Sequence, residues 1–256
     1  MLKKVVMSSL LALVAGSTIC LTGCSCDSEK EDSKTEERAA IPTFDTPEAL
    51  IEYSLNAQLN QDARAMLHTL SPEQLQLGIE TFGSREKLED AFQAYLNLKA
   101  SDSEQLREML NDPARKDQII RSIVESSNGQ IIQIDGKWYM HGNSGDFSDI
   151  AKSYVTTQFV EAVLDRNTDA LWELLSPETQ ERLNRDANGN QQTLKHNLTR
   201  LCQGIIRDND IRNARNNKMA HIARQLEFFS QTGSDGSRIL TEVDGKYFIN
   251  LLPLMR

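Results

Sequence analysis

Leu59-Asn60-Gln61-Asp62-Ala63-Arg64-Ala65-Met66-Leu67-His68-Thr69-Leu70-Ser71-Pro72-Glu73 returns further along the chain as Leu164-Asp165-Arg166-Asn167-Thr168-Asp169-Ala170-Leu171-Trp172-Glu173-Leu174-Leu175-Ser176-Pro177-Glu178. The offset is about 105 residues, and self-similarity at a fixed offset is the mark of a repeated structural unit. A second pair of words repeats at an offset of about 109 residues, again as an internal repeat would. It is Ile134-Asp135-Gly136-Lys137-Trp138-Tyr139 against Val243-Asp244-Gly245-Lys246-Tyr247-Phe248. Two matched ends imply a duplicated unit of about 100 residues, an ordinary size for a small domain. The expected units run over 46–145 and 151–256.

Each expected unit follows one grammar. Thr46-Pro47 opens a helix, with threonine as cap and proline at the first position, where no backbone donor is needed. Ala63, Met66, Leu67 and Leu70 recur at helical spacing, as do Leu171, Leu174 and Leu175, which puts Trp172, aligned with Leu67, in the apolar stripe. Ser71-Pro72 and Ser176-Pro177 begin the next helices, and Gln74 makes the first of these a capping box. Leu88, Ala91, Phe92 and Tyr95 mark another helix, with Leu194, Leu198, Leu201, Cys202 and Ile205 as its counterpart. Ile119, Ile120, Ile123 and Val124 also fit a helix better than a strand, although Asn128-Gly129 is a strong hairpin signal. Met219, Ile222, Ala223, Leu226 and Phe229 give the matching helix. Asp-Gly then turns a closing hairpin in each unit. The expected fold class is α+β and helix-dominated, two tandem homologous units of several helices followed by a β-hairpin.

The 256 residues carry 28 basic and 37 acidic side chains, a net charge of -9, so no nucleic-acid partner is expected. Charged residues make up 25% and hydrophobic residues 39%, which is a globular balance. Mean hydropathy is -0.47 and the one long apolar run is N-terminal, which rules out a multi-span membrane protein.

That run reads as a secretory signal over residues 1–23. Lys3 and Lys4 are its positive end, Val5 to Val14 its apolar stretch, and Ala15, Gly16 and Ser17 the small residues that follow. It ends in Leu21-Thr22-Gly23-Cys24, which resembles the lipobox of bacterial lipoprotein precursors. The resemblance implies cleavage before Cys24 and lipidation of its sulfur, and two or three acyl chains hold a domain firmly. The implied location is the bacterial cell envelope, with the membrane as partner through the N-terminal lipid. Ser25 after the cysteine points to the outer membrane, facing the periplasm, where the host has two membranes. Residues 24–45 are expected to be an acidic tether, since Asp27 to Arg38 holds six acids, three bases and no aliphatic side chain. Cys26 and Cys202 either pair or leave Cys202 as a buried thiol.

The order of helix, acidic turn, Ala-x-x-x-Leu helix, Ser-Pro-Glu, helix and Asp-Gly-Lys-aromatic-aromatic resembles the NTF2-like superfamily of cone-shaped α+β domains. That resemblance spans 46–142 and 151–252 and implies a pocket walled by a curved sheet, whereas the middle of each unit here reads as helical.

Motifs for chemistry are sparse. His68, His141, His196 and His221 form no metal-type pair, and no phosphate loop, dinucleotide fingerprint or nucleophile elbow occurs, so neither cofactor nor metal is expected. Asn188-Gly189-Asn190 and Asp208-Asn209-Asp210 lack the glycine and terminal glutamate of a calcium loop. His68 lies off the apolar stripe, and either it or a carboxylate is the candidate general base of a pocket enzyme. From Arg182 to Arg224 nine bases face three acids, so Arg200, Arg207, Arg212, Arg215 and Lys218 form a candidate surface for an anionic envelope polymer or protein, or else a solvated helix face. The reading that absorbs most of these features is a membrane-anchored envelope lipoprotein serving as a non-enzymatic binding or scaffold module. Its rivals are a pocket enzyme and an anionic-polymer binder.

Overall fold

The computed structural model describes residues 42–142, 147–205, 216–231 and 238–255. They form eleven α-helices and two antiparallel hairpins, a helix-dominated α+β fold. Contacts divide them into two compact units. One holds the described residues up to Glu80 together with 102–147, and the other holds 81–101 together with 148 onward.

In the first unit α1 (Pro47–Leu59) starts where extended Thr46 accepts the Ala49 N–H through Oγ1 at 3.1 Å. After it the chain turns at Gln61, whose φ of 53° brings the Asp62 N–H to the Ala57 carbonyl at 2.9 Å. Asp62 Oδ1 then accepts Ala65 N–H at 2.9 Å and starts α2 (Ala63–Thr69). Ser71 Oγ accepts Gln74 N–H at 3.2 Å and starts α3 (Pro72–Phe82). The reciprocal half of the expected capping box does not form. The Ser71 N–H donates to Met140 O at 2.9 Å, and Gln74 Nε2 donates to Gly142 O at 3.0 Å.

The chain continues as α4 (Arg85–Leu98), α5 (Ala100–Leu110) and α6 (Pro113–Ser126). Ser84 caps α4 and Asp112 caps α6. Ile119 to Val124 are helical as their spacing requires, and Asn128 and Gly129, at φ 44° and 84°, lead out of α6 rather than turning a hairpin. The hairpin follows as β1 (Ile131–Ile134) and β2 (Lys137–Met140), in register from Ile131 opposite Met140 to Ile134 opposite Lys137. Asp135 and Gly136 turn it with φ of 51° and 79°, the left-handed pair that a tight twisted hairpin demands. Phe44, Leu50, Ile51 and Leu55 pack with Leu106, Ile120, Ile123 and Met140 as this unit's core.

The second unit runs α7 (Ser148–Leu164), α8 (Thr168–Glu173), α9 (Pro177–Asp186), α10 (Gln191–Ile205), α11 (Lys218–Ser230), then β3 (Leu240–Val243) and β4 (Lys246–Ile249). Its local joints match those of the first. Arg166 takes φ 55°, Asn167 Oδ1 accepts Ala170 N–H at 3.0 Å, and Ser176 Oγ accepts Thr179 N–H at 3.3 Å. Asp244 and Gly245 turn the hairpin at 51° and 75°. Ser176 N–H donates to Ile249 O at 2.9 Å, as Ser71 N–H does to Met140 O.

Helix α4 packs within this second unit, against α7 and α11, with Leu88, Ala91, Phe92 and Leu96 buried. Phe82 meets Tyr154 edge-on at 6.0 Å, and Leu98 joins the cluster of Val160, Leu164 and Ile222. The main core gathers Phe159, Leu171, Leu175, Phe229, Ile249 and Leu251. Trp172 does not share the burial of Leu67. It is half-buried at the edge of this core, because one side of it faces a cleft.

A hydroxyl pair ties β4 to α7, with Ser148 Oγ and Tyr247 OH 3.0 Å apart and Lys152 Nζ 5.5 Å from the ring centre. Burial pushes the Tyr247 phenol above its ordinary 10.0, against the Ser148 bond and the Lys152 charge, which pull it down. Tyr53 and Tyr154 are raised by burial too, helped by Asp62 and Asp90 respectively. A phenol whose folded value lies above its unfolded one contributes stability that is complete below pH 10.0 and is lost as pH rises through the folded value. The melting temperature is therefore expected to fall above pH 10.0, and Tyr247→Phe, which has no proton to lose, to flatten that fall. An unchanged slope in the variant would remove Tyr247 from the account.

Candidate functional site

The first arrangement with chemical potential joins the start of α3 to the end of β2. Ser71 Oγ lies 3.1 Å from His141 Nδ1, the contact by which a base activates a hydroxyl nucleophile. Two observations decide what it does. Ser71 is completely buried, and its oxygen already accepts the Gln74 N–H as a helix cap, so no substrate carbonyl reaches it. At the matching place in the second unit there is no base at all. Ser176 Oγ donates to Thr179 Oγ1 at 3.0 Å, Thr179 Oγ1 donates to Asn250 Oδ1 at 3.2 Å, and Leu251 N–H donates to Thr179 Oγ1 at 3.1 Å. Two different polar sets do the same job, joining a helix start to a strand end. Ser71 and His141 form a structural latch, and the serine signal for it was present in the Ser-Pro cap. His141 as its partner was not legible, because it lies on the far side of the hairpin.

The second arrangement is a cleft of about 460 Å³ in the second unit, bounded by α8, α9 and α10. Its apolar side is Leu194 and Leu198, both buried, together with half-buried Trp172. Its polar side carries Asp169 and Glu173 from α8, Asn184 from α9, and Gln191 and Lys195 from α10, all exposed. Asn167 caps α8 at one end, and at the other Gln180 Nε2 of α9 donates to Trp172 O at 2.8 Å. Lys195 Nζ bridges the opening to Asp169 Oδ1 at 2.8 Å, an exposed pair worth no more than about 1 kcal/mol but enough to set the local charge.

The residues singled out in the sequence fall elsewhere. His68 is half-buried on α2 and does not line this cleft. Arg200 is exposed on α10, and Lys218 is ion-paired to Glu161 of α7. Arg207, Arg212 and Arg215 lie outside the described residues, as do Cys24, Cys26 and the whole of 1–41. Cys202 is in α10, but its side chain is also outside them. Arg182 pairs with Asp186 and Arg185 with Glu181, each one turn apart on α9, so these charges are matched along their own helix.

Among the described residues no cluster of three metal-ligating side chains occurs, and no helix is long and apolar enough to cross a membrane. Comparison with protein-family models, curated proteins and solved structures finds no match to this chain.

Proposed function

We propose that this protein is a lipid-anchored protein of the bacterial cell envelope, acting as a non-enzymatic binding module built from two duplicated units. The observation that carries the anchoring is Leu21-Thr22-Gly23-Cys24 behind a positive and then apolar leader, followed by a charged segment between the cysteine and the helix that begins at Pro47. Binding is favoured over catalysis because the strongest nucleophile geometry, Ser71 with His141, is a buried latch, whereas the open concavity presents a mixed apolar and polar wall. The matched joints of the two units support the duplication.

The reading in which Arg200, Arg207, Arg212, Arg215 and Lys218 hold an anionic polymer or protein draws on exposed Arg200 alone among its described members, since Lys218 is neutralised by Glu161.

The test is Cys24→Ala expressed in a bacterial host. Wild type is expected to fractionate with membranes and to enter the detergent phase. The variant is expected as soluble material or uncleaved precursor. A processed, detergent-extractable Cys24→Ala protein would overturn the anchor.

A further inference from the structure

We propose that the cleft bounded by α8, α9 and α10 binds an uncharged pyranose, as a free oligosaccharide or as part of a glycan. The proposal deepens the binding-module reading by naming the ligand class of the open concavity.

Size comes first. At about 460 Å³ the cleft lies within the ~300–1,000 Å³ typical of small-molecule sites. Its lining mixes the two kinds of surface that a sugar ring presents. A pyranose has faces of C–H bonds and a rim of hydroxyls, each able to donate and accept. The cleft is lined by Trp172, Leu194 and Leu198 as apolar surface, and by Glu173, which only accepts, and Gln191, which does both. An indole left half-exposed in a concavity keeps apolar surface in water, and a C–H face laid on it removes that surface.

Charge then selects the ligand. Asp169 and Lys195 neutralise one another at 2.8 Å, so Glu173 leaves the cleft with one net negative charge. Phosphates, sulfates and uronates are repelled by it. A neutral ligand pays no such penalty, and its hydroxyls match the Glu173 and Gln191 acceptors and donors where a cation would leave the Gln191 amide N–H groups unused.

The last argument comes from the other copy. Where the second unit has Asp169, Trp172 and Glu173, the first has Arg64, Leu67 and His68. Leu67 is only 1% exposed and fills its place completely. The matching place on α2 is therefore served in packing by a leucine, whereas Trp172, flanked by carboxylates, keeps part of its ring outside the core.

The test titrates the full chain with two neutral probes, N,N′,N″-triacetylchitotriose and cellotriose, and with heparin as an anionic one, by calorimetry up to millimolar concentration. At least one neutral probe is expected to bind saturably, with an affinity that does not change with ionic strength, since no ion pair forms with the ligand. Trp172→Ala is expected to weaken it by about tenfold or more, a factor worth 1.4 kcal/mol. Trp172→Phe should restore most of the loss. Gln191→Ala, on the exposed rim, should weaken binding several-fold without moving the melting temperature, which keeps the test valid if Trp172→Ala unfolds. Absence of binding by both sugars, binding unaffected by Trp172→Ala and Gln191→Ala, or binding of heparin alone would each overturn the proposal. Such a failure is separate from that of the anchor, which Cys24→Ala reads by membrane fractionation.

Discussion

Phe159→Ala is expected to lower the free energy of unfolding by about 3–5 kcal/mol, the largest loss of any single truncation proposed for this protein. Phe159 lies on α7 and is fully buried. Its ring meets that of Phe229 on α11 at 5.4 Å and 78°, an edge-to-face pair worth about 0.5–1.5 kcal/mol beyond the area it buries. Leu171, Leu175 and Ile249 of the same cluster come from a helix, the segment after it and a strand, and the bonds from Ile249 N–H to Leu174 O and from Ser176 N–H to Ile249 O tie the last two together, so the cavity left behind has little freedom to collapse. Urea denaturation followed by far-ultraviolet circular dichroism measures the loss. The double variant with Phe229→Ala should cost less than the two single variants added together, because the shared contact is then counted once. A Phe159→Ala loss below about 1 kcal/mol would be that of a surface site and would contradict the core assignment.

The next largest effect is a contrast between two residues that occupy the same place in the repeated words. Leu67→Ala is expected to cost about 2–5 kcal/mol, as truncation of a fully buried leucine does. Trp172→Ala is expected to cost less, about 1–2 kcal/mol, because only the part of the ring packed against the core leaves an apolar environment. From the repeat alone the order is the reverse, since tryptophan is the larger side chain and both positions fall on the apolar stripe. Thermal melting of the two variants decides. If Trp172→Ala proves the more destabilising, the tryptophan belongs to the core, and its place in the cleft is incidental.

The contrast bears on function as well as stability. A latch such as Ser71–His141 is buried and has a polar stand-in in the second unit, so its chemistry serves the fold. Trp172 sits where the other copy has a leucine, it is half-buried, and it shares the cleft with polar groups. Side chains that exceed what packing asks for are where a binding site is to be sought.

What the sequence by itself determined is the set of features governed by neighbours a few residues away. Thr46, Ser71 and Ser176 cap their helices because each side-chain oxygen reaches a backbone donor three positions on. Asp135-Gly136 and Asp244-Gly245 turn hairpins because those residue types tolerate positive φ. Ile119 to Val124 read as a helix because their spacing outweighs a turn signal that lies beyond the helix end. Tertiary structure decided every question of which distant group a local element meets. Gln74 has the right spacing for a capping box, yet its amide reaches Gly142 and the Ser71 N–H reaches Met140, because the hairpin presents free carbonyls there. The apolar face of α4 was evident from Leu88, Ala91 and Phe92, but not that it packs on α7 and α11. Periodicity shows that a face is buried without naming its partner. The cleft is the extreme case, since its walls come from three helices and its shape from the gap between them, and a gap is a property of no residue in the chain.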